Sequence, residues 1–307
     1  MDYIKLIISY LPNSCQKFLK KCYAKFSYFR GIWIPIQIRI LRETWASLIP
    51  LTKIDNGLEP KVLYMTGMPR TGSSLAKNFL GNHDSFEVMK FQSGGFTFAW
   101  ERALTTEKIV VDKATHYVRN IRKIHRTYGD SVTFFCIVRD PRDELLSLIE
   151  SNKHREIPRN ESFWQEWHQT YMNLLDFAAE HSDCTLNIYL IRYEDLVRWP
   201  IQAKVDFLSW LGLEIKVRTI NPQYNILHDD DIQDSKVEKK RKVSTDSVGR
   251  WKDVTDPKVR KLLNHWQYVE PVKSMMGRFG YNKGGVVDHQ LSFKGIKVFR
   301  PQIDNKY

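Results

Sequence analysis

Residues 61–80 read KVLYMTGMPRTGSSLAKNFL, and this stretch decides the fold. Val62, Leu63, Tyr64 and Met65 are an apolar run of strand length, Gly67-Met-Pro-Arg-Thr-Gly72 is a turn, and Ser73-Ser74 open an amphipathic helix carrying Leu75, Phe79 and Leu80. Strand, glycine turn and helix start in this order make a cradle for phosphate. The first N–H groups of a helix have no intrahelical acceptor and carry the positive end of its dipole, and glycines let the backbone approach an anion. Against the P-loop pattern G-x-x-x-x-G-K-[ST], both glycines are in register and Ser74 takes the Ser/Thr place. Ser73 stands where the lysine would be, and the cation is Arg70, inside the turn. An ordinary strand-to-helix connection is the alternative for this segment taken alone.

A second segment points the same way. Ser131–Val138, SVTFFCIV, is another apolar strand, followed by Arg139-Asp-Pro-Arg-Asp143 and a helix over Glu144–Glu150 that carries Ser147. Pro141 suits the first turn of that helix, where its missing N–H costs nothing. In open α/β sheets ligands bind at the carboxyl ends of the strands, so Arg139 would share a crevice with the Gly67–Ser74 turn and could hold a phosphate with its fork. The alternative is a helix-start salt bridge between Arg139 and Asp143.

Together these segments resemble the sulfotransferase family, whose members use 3′-phosphoadenosine 5′-phosphosulfate (PAPS). Pro69-Arg-Thr-Gly-Ser-Ser74 matches the family's P-[KR]-[ST]-G-[ST]-[ST] turn for the 5′-phosphosulfate. Arg139, Pro141, Asp143 and Ser147 match its R-x-P-x-D-x-x-x-S element for the 3′-phosphate. Tyr193-Glu-Asp-Leu196 and Ser247-Val-Gly-Arg-Trp-Lys252 follow in the family's order. The resemblance spans roughly residues 60–282 and is closer to bacterial and Golgi-type members than to animal cytosolic ones, which usually carry lysine in place of Arg70 and an arginine–lysine–glycine clamp near the C-terminus. It implies PAPS as cosubstrate, adenosine 3′,5′-bisphosphate as product, and no metal. The nucleotide contacts it implies are Arg70, Thr71, Gly72, Ser73 and Ser74 in the turn, Arg139 and Ser147 beyond the second strand, Tyr193, and the segment Ser247, Val248, Gly249, Arg250 and Trp251.

Sulfuryl transfer needs in-line geometry and neutralisation of the leaving phosphate, tasks that cations and backbone donors perform. Arg70 and the amides of Thr71–Ser74 would hold the 5′-phosphate. Lys113 ends the apolar stretch Ile109-Val-Val-Asp-Lys113 and resembles the family's strand-end lysine near the transferred group; a solvated surface lysine is the alternative. The acceptor must lose a proton, which calls for a general base. His116 opens a helix patterned Val118, Ile121, Ile124 and Tyr128 with Arg119, Arg122, Lys123 and Arg126 opposite, and it titrates near neutrality. Glu87 and His83 are the alternatives.

The rest of the chain reads as strands alternating with helices. Ser162–Glu180, Ile201–Leu211 closed by Gly212, and a helix capped by Thr255-Asp256-Pro257 flank a further strand over Thr185–Ile191, giving an α/β fold with a mostly parallel sheet, helices on its faces and a P-loop-like phosphate-binding turn. Phe163, Trp164 and Trp167 lie at core spacing. Between Gly212 and Asp256 no periodicity is evident, and acidic Asp229–Asp231 gives way to basic Lys239–Lys242: a lid closing over the nucleotide, or a solvated charge run.

The 307 residues divide into a basic, aromatic N-terminal extension, 1–56, and a sulfotransferase domain, 57–307. Residues 1–50 hold eight Lys/Arg against two acids, half of the net charge of +12. They have no apolar stretch of about 18 residues, so a transmembrane anchor is not expected, while peripheral attachment to an anionic membrane stays open. The four cysteines have no metal or redox spacing, which suits a reduced, cytoplasmic protein. Two other classes have sequence support. Gly67–Ser74 with Val110-Val-Asp112 would suit a P-loop nucleotide-kinase-like phosphotransferase, but Ser73 lacks the lysine. A pI near 9.4 with Lys239–Lys242 would suit a nucleic-acid binder, but no nucleic-acid motif is present, and none is expected as partner. The acceptor reads only as a small molecule or glycan offering a hydroxyl or amine; Phe91, Phe96, Phe98 and Trp100 hint at an apolar or ring-shaped one.

Overall fold

A computed structural model describes residues 61–89, 96–114, 117–151, 161–180, 187–215, 243–270, 272–281, 292–293 and 296–301. The N-terminal extension, Phe91, His116, Asp229–Asp231 and Lys239–Lys242 lie outside these residues, as do the side chains of Phe96, Phe98, Phe163, Trp164 and Trp167.

Six strands form one sheet in the order β2-β3-β1-β4-β5-β6, and every pair is parallel. They are β1 (Val62–Gly67), β2 (Phe86–Val88), β3 (Ile109–Lys113), β4 (Val132–Val138), β5 (Ile188–Arg192) and β6 (Lys297–Val298). The central strands are continuous apolar runs because both faces of the sheet are covered. Val62, Tyr64, Phe134, Cys136 and Leu190 pack on one side, against α3 (Tyr117–Tyr128), α5 (Glu161–Glu180), α8 (Pro257–Trp266) and α9 (Val272–Arg278). Leu63, Met65, Phe135, Ile137 and Tyr189 pack on the other, against α1 (Ser73–Leu80), α6 (Tyr193–Arg198) and α7 (Pro200–Trp210). Helices α2 (Phe96–Ala103) and α4 (Pro141–Ser151) complete the described set. The sheet is the mostly parallel, helix-flanked one expected.

From β1 the chain passes to β2 at one edge and returns to β3 beside β1, while from β4 it steps the other way to β5 and β6, so the switch point lies between β1 and β4, where Gly67 pairs with Ile137. In α3 the core stripe is Tyr117, Val118, Ile121, Ile124 and Tyr128, with Arg119, Arg122, Lys123 and Arg126 exposed, as the periodicity predicts. The strand expected over Thr185–Ile191 is described as β5 from Ile188, which pairs with Phe134 of β4; Thr185 lies outside the described residues. The two-residue β6 had no sequence signal. No described helix is long and apolar enough to cross a membrane.

Candidate active site

The turn after β1 folds on itself before α1 begins. Thr71 donates both its N–H and its hydroxyl to Met68 O, at 3.2 and 2.8 Å, and Ala76 N–H to Gly72 O opens the helical ladder. The amides of Ser73, Ser74 and Leu75 therefore have no intrahelical acceptor. Gly72 has φ +94°, and a Cβ there would stand 2.7 Å from Tyr193 Cε2. Tyr193 thus packs directly on the turn, and only glycine leaves room for it. Arg70 has φ +72° and is the single non-glycine residue at positive φ among those described. Such a conformation costs about 1–2 kcal/mol.

What holds Arg70 is the second segment. Its Nε donates to Ser147 Oγ at 3.1 Å, and its carbonyl accepts from Arg139 Nη1 at 2.9 Å. Arg139 Nη2 donates to Ser247 O at 2.5 Å, and the guanidinium lies 4.5 Å from the centre of the Tyr193 ring. Arg139 Nε is buried and has no hydrogen-bond partner among the described residues. Asp143 accepts from the amides of Gly249 and Trp251, at 2.5 and 3.0 Å. The helix-start salt bridge between Arg139 and Asp143 is therefore not what these residues make: the arginine holds two carbonyls and the aspartate two amides.

The sequence-predicted nucleotide contacts converge with one exception. Tyr193 OH lies 2.5 Å from Ser247 Oγ, and Val248 packs beside the core cluster that contains Tyr193. Trp251 stacks on Arg142, 3.8 Å from its guanidinium carbon. Arg250 is the exception, held in a two-pronged ion pair with Glu150 that raises its pKa.

Lys113 is buried, and its Nζ donates to Ser74 Oγ at 3.1 Å, so it is no solvated surface lysine. Asp112 accepts from Lys113 N at 2.8 Å and from Tyr117 OH. That arrangement ties β3 to α3, which is a structural use for the aspartate of the kinase-like reading. Of the base candidates, Glu87 lies in the middle of β2 and forms an ion pair with Arg102. His83 accepts from Ser85 N at Nδ1 and contacts Glu214 O at Nε2, 2.9 Å away. Both its ring nitrogens are engaged.

Two kinds of residue escaped sequence reasoning. Tyr171, in the aromatic stripe of α5, accepts from Met68 N at 2.8 Å and donates to Ile137 O at 2.7 Å, joining the turn after β1 to the end of β4. The second kind is a set of buried acids around Arg139. Asp140 caps α4 through Arg142 N (2.9 Å) and grips the Arg142 guanidinium. Glu194 accepts from Asp140 N and Tyr281 OH, both at 2.9 Å, and burial pushes its pKa up to about 7. Burial also raises Asp143 and, with more force, Glu144, whose two oxygens have no hydrogen-bond partner among the described residues. An acid in the first turn of a helix reads from sequence as an exposed complement to the dipole, so nothing signalled its burial.

Residues 91–216 match the model of the sulfotransferase family, a span that contains Lys113, Arg139, Ser147 and Tyr193. Comparison with curated proteins found no match. Among solved structures, the sulfotransferase domain of the Synechococcus PCC 7002 olefin synthase is 16% identical and aligns over 71% of this chain and 98% of its own, with a TM-score of 0.51. A mouse sulfotransferase crystallised with PAP is 13% identical over 71% of this chain and 89% of its own, with a TM-score of 0.45. The fold is shared with the first of these. Family match and sheet agree with the two motifs brought together between β1 and β4, and the family these findings support for this chain is the sulfotransferase family.

Proposed function

We propose that the chain moves the sulfuryl group of PAPS to a hydroxyl or amine of a small-molecule or glycan acceptor. One observation carries the reading: the two phosphate-reading motifs meet at one residue, Arg70, which touches Ser147 with its side chain and Arg139 with its carbonyl. A donor with anionic groups at its 5′ and 3′ ends fits such a pair, and the buried Nε of Arg139, which has no hydrogen-bond partner among the described residues, leaves a donor for the 3′-phosphate. PAPS supplies an activated sulfuryl group with a phosphate leaving group. Arg70 and the amides of Ser73 and Ser74 would neutralise the charge that grows on that phosphate, and Lys113, beside Ser74, would reinforce them. Tyr193, Ser247, Val248, Gly249 and Trp251 would close the nucleotide side of the site, with Arg250 joining only if its pair with Glu150 opens.

For the acceptor's proton we propose His116, which follows β3 and Lys113 directly in sequence. Glu87 could serve only after its ion pair with Arg102 opens. The buried Cys136 thiol, pushed up to about 12 by burial, is consistent with a reduced, cytoplasmic setting. Calorimetry with adenosine 3′,5′-bisphosphate against AMP tests the reading. The bisphosphate should bind far more tightly, and Arg139→Ala should weaken it about tenfold or more, with a smaller loss for AMP. Equal affinity for the two nucleotides in the unmodified protein would refute PAPS as donor.

A further inference from the structure

Arg139 and Glu144 carry complementary groups that the fold leaves unused. Both residues are almost fully buried; the guanidinium Nε and both Glu144 oxygens have no hydrogen-bond partner among the described residues. Glu144 lies one helical turn beyond the capping Asp140, donating its N–H to Asp140 O at 3.0 Å, and Arg139 is the nearby cation that favours its charge. Buried polar atoms are ordinarily paired, and an unpaired carboxylate is costly, so a carboxyl left in this state calls for an explanation. Other groups bear on it: Asp140 at the helix cap and Glu194 from α6 oppose its charge, and the Tyr171 hydroxyl from α5 is also coupled to it. Farther along α4, Arg250 is occupied by Glu150.

We propose that Glu144 is a proton-linked positioning residue for Arg139, neutral while Arg139 holds a 3′-phosphate and, once ionised, a competitor of that phosphate for the guanidinium. This rests on the proposed PAPS reading. A neutral Glu144 leaves the full charge of Arg139 to the ligand. An ionised one acts on the charge of the same guanidinium and cancels part of its field, so 3′-phosphate affinity should fall as pH rises through the Glu144 titration. Burial places that titration well above the ordinary carboxylate range. By linkage, binding the bisphosphate should draw a proton onto Glu144.

The test is calorimetry of adenosine 3′,5′-bisphosphate from pH 5.5 to 9 with the full chain and with Glu144→Gln, a neutral isostere. The ratio of the two dissociation constants cancels the ligand phosphate's own ionisation near pH 6 and the titration of Glu194. That ratio should be near one at low pH and rise to at least about tenfold in favour of the variant at high pH, with AMP, which lacks the 3′-phosphate, giving a flat ratio. Glu144→Leu, which removes the buried polar atoms altogether, should match Glu144→Gln at high pH. A flat bisphosphate ratio, or a pH-dependent ratio of the same size for AMP, overturns the proposal. Failure of the unmodified protein to discriminate bisphosphate from AMP at any pH overturns the PAPS reading itself, and this proposal with it.

Discussion

Gly72→Ala is the sharpest test of the cradle, because its cost follows from two structural features. The residue lies at φ +94°, which a residue with a Cβ adopts at a cost of about 1–2 kcal/mol. The added Cβ would meet Tyr193 at 2.7 Å from Cε2, and moving a packed aromatic ring costs about another 1–3 kcal/mol. The sum, roughly 2–5 kcal/mol, should lower the melting temperature by roughly 5–15 °C. Adding Tyr193→Ala removes the clash but not the backbone strain. The double variant should therefore be less destabilised than the two single changes predict, with a coupling of about 1–3 kcal/mol. Because the moved ring also carries Arg139 on its face, Gly72→Ala should weaken bisphosphate binding as well as stability. A loss below about 1 kcal/mol, or strict additivity with Tyr193→Ala, would show that ring-to-turn contact does not shape the cradle.

At the reacting end, Arg70→Ala should lower kcat about 10²–10³-fold while weakening the bisphosphate product less, since the charge it offsets grows in the transition state; Lys113→Ala should act in the same direction but more mildly. Steady-state kinetics with labelled PAPS decide, and undiminished turnover in Arg70→Ala would remove its role. His116→Ala should lower kcat about 10²–10⁴-fold with product affinity unchanged, and Glu87→Gln should not; the reverse result would move the proton to the glutamate. Lys204, buried beneath α1 and donating to Phe79 O at 2.7 Å and Asn82 O at 3.2 Å, has its pKa lowered by burial to about 8. Between about pH 8 and its unfolded value near 10.4 the unfolded chain binds more protons, so stability should rise with pH across that window and be level below it. Denaturant unfolding of the parent and Lys204→Met at pH 7, 8.5 and 10 checks this: the parent's gain relative to the variant, at most about 3 kcal/mol, is the signal, and parallel pH curves would contradict it.

The parts legible in the sequence were those written in short-range patterns. Continuous apolar runs marked β1, β3 and β4, because central parallel strands are buried on both faces. The glycine turn and the Arg139-x-Pro-x-Asp-x-x-x-Ser147 spacing marked the two segments that meet at Arg70, since each fits a strand end followed by a helix. Partners from distant segments were not legible. Tyr171 reads as one more core aromatic, and nothing local says that its hydroxyl serves Met68 N and Ile137 O. Asp143 reads as a helix-start acid, yet its acceptors are committed to Gly249 and Trp251, more than a hundred residues away. Lys204 reads as a polar position of an amphipathic helix and is buried all the same.

These long-range contacts explain how a strained turn persists. Left to itself, the segment from Gly67 to Gly72 would relax Arg70 out of positive φ and take a more ordinary connection. Four residues prevent this: Ser147 and Arg139 hold Arg70 by side chain and carbonyl, Tyr171 holds Met68, and the Tyr193 ring fills the space beside Gly72. Each contact contributes on the order of 1 kcal/mol, comparable with the strain, so together they over-determine the conformation where any one would not. The donors gathered around the turn are then already oriented before an anion arrives, and the ordering cost that a flexible loop would meet on binding has been met on folding. Arg139 sits at the centre of that arrangement, holding the turn through one nitrogen and Ser247 through another, while its Nε has no hydrogen-bond partner among the described residues. On the proposed function, the same residue that fixes the turn would also offer the 3′-phosphate a hydrogen-bond donor.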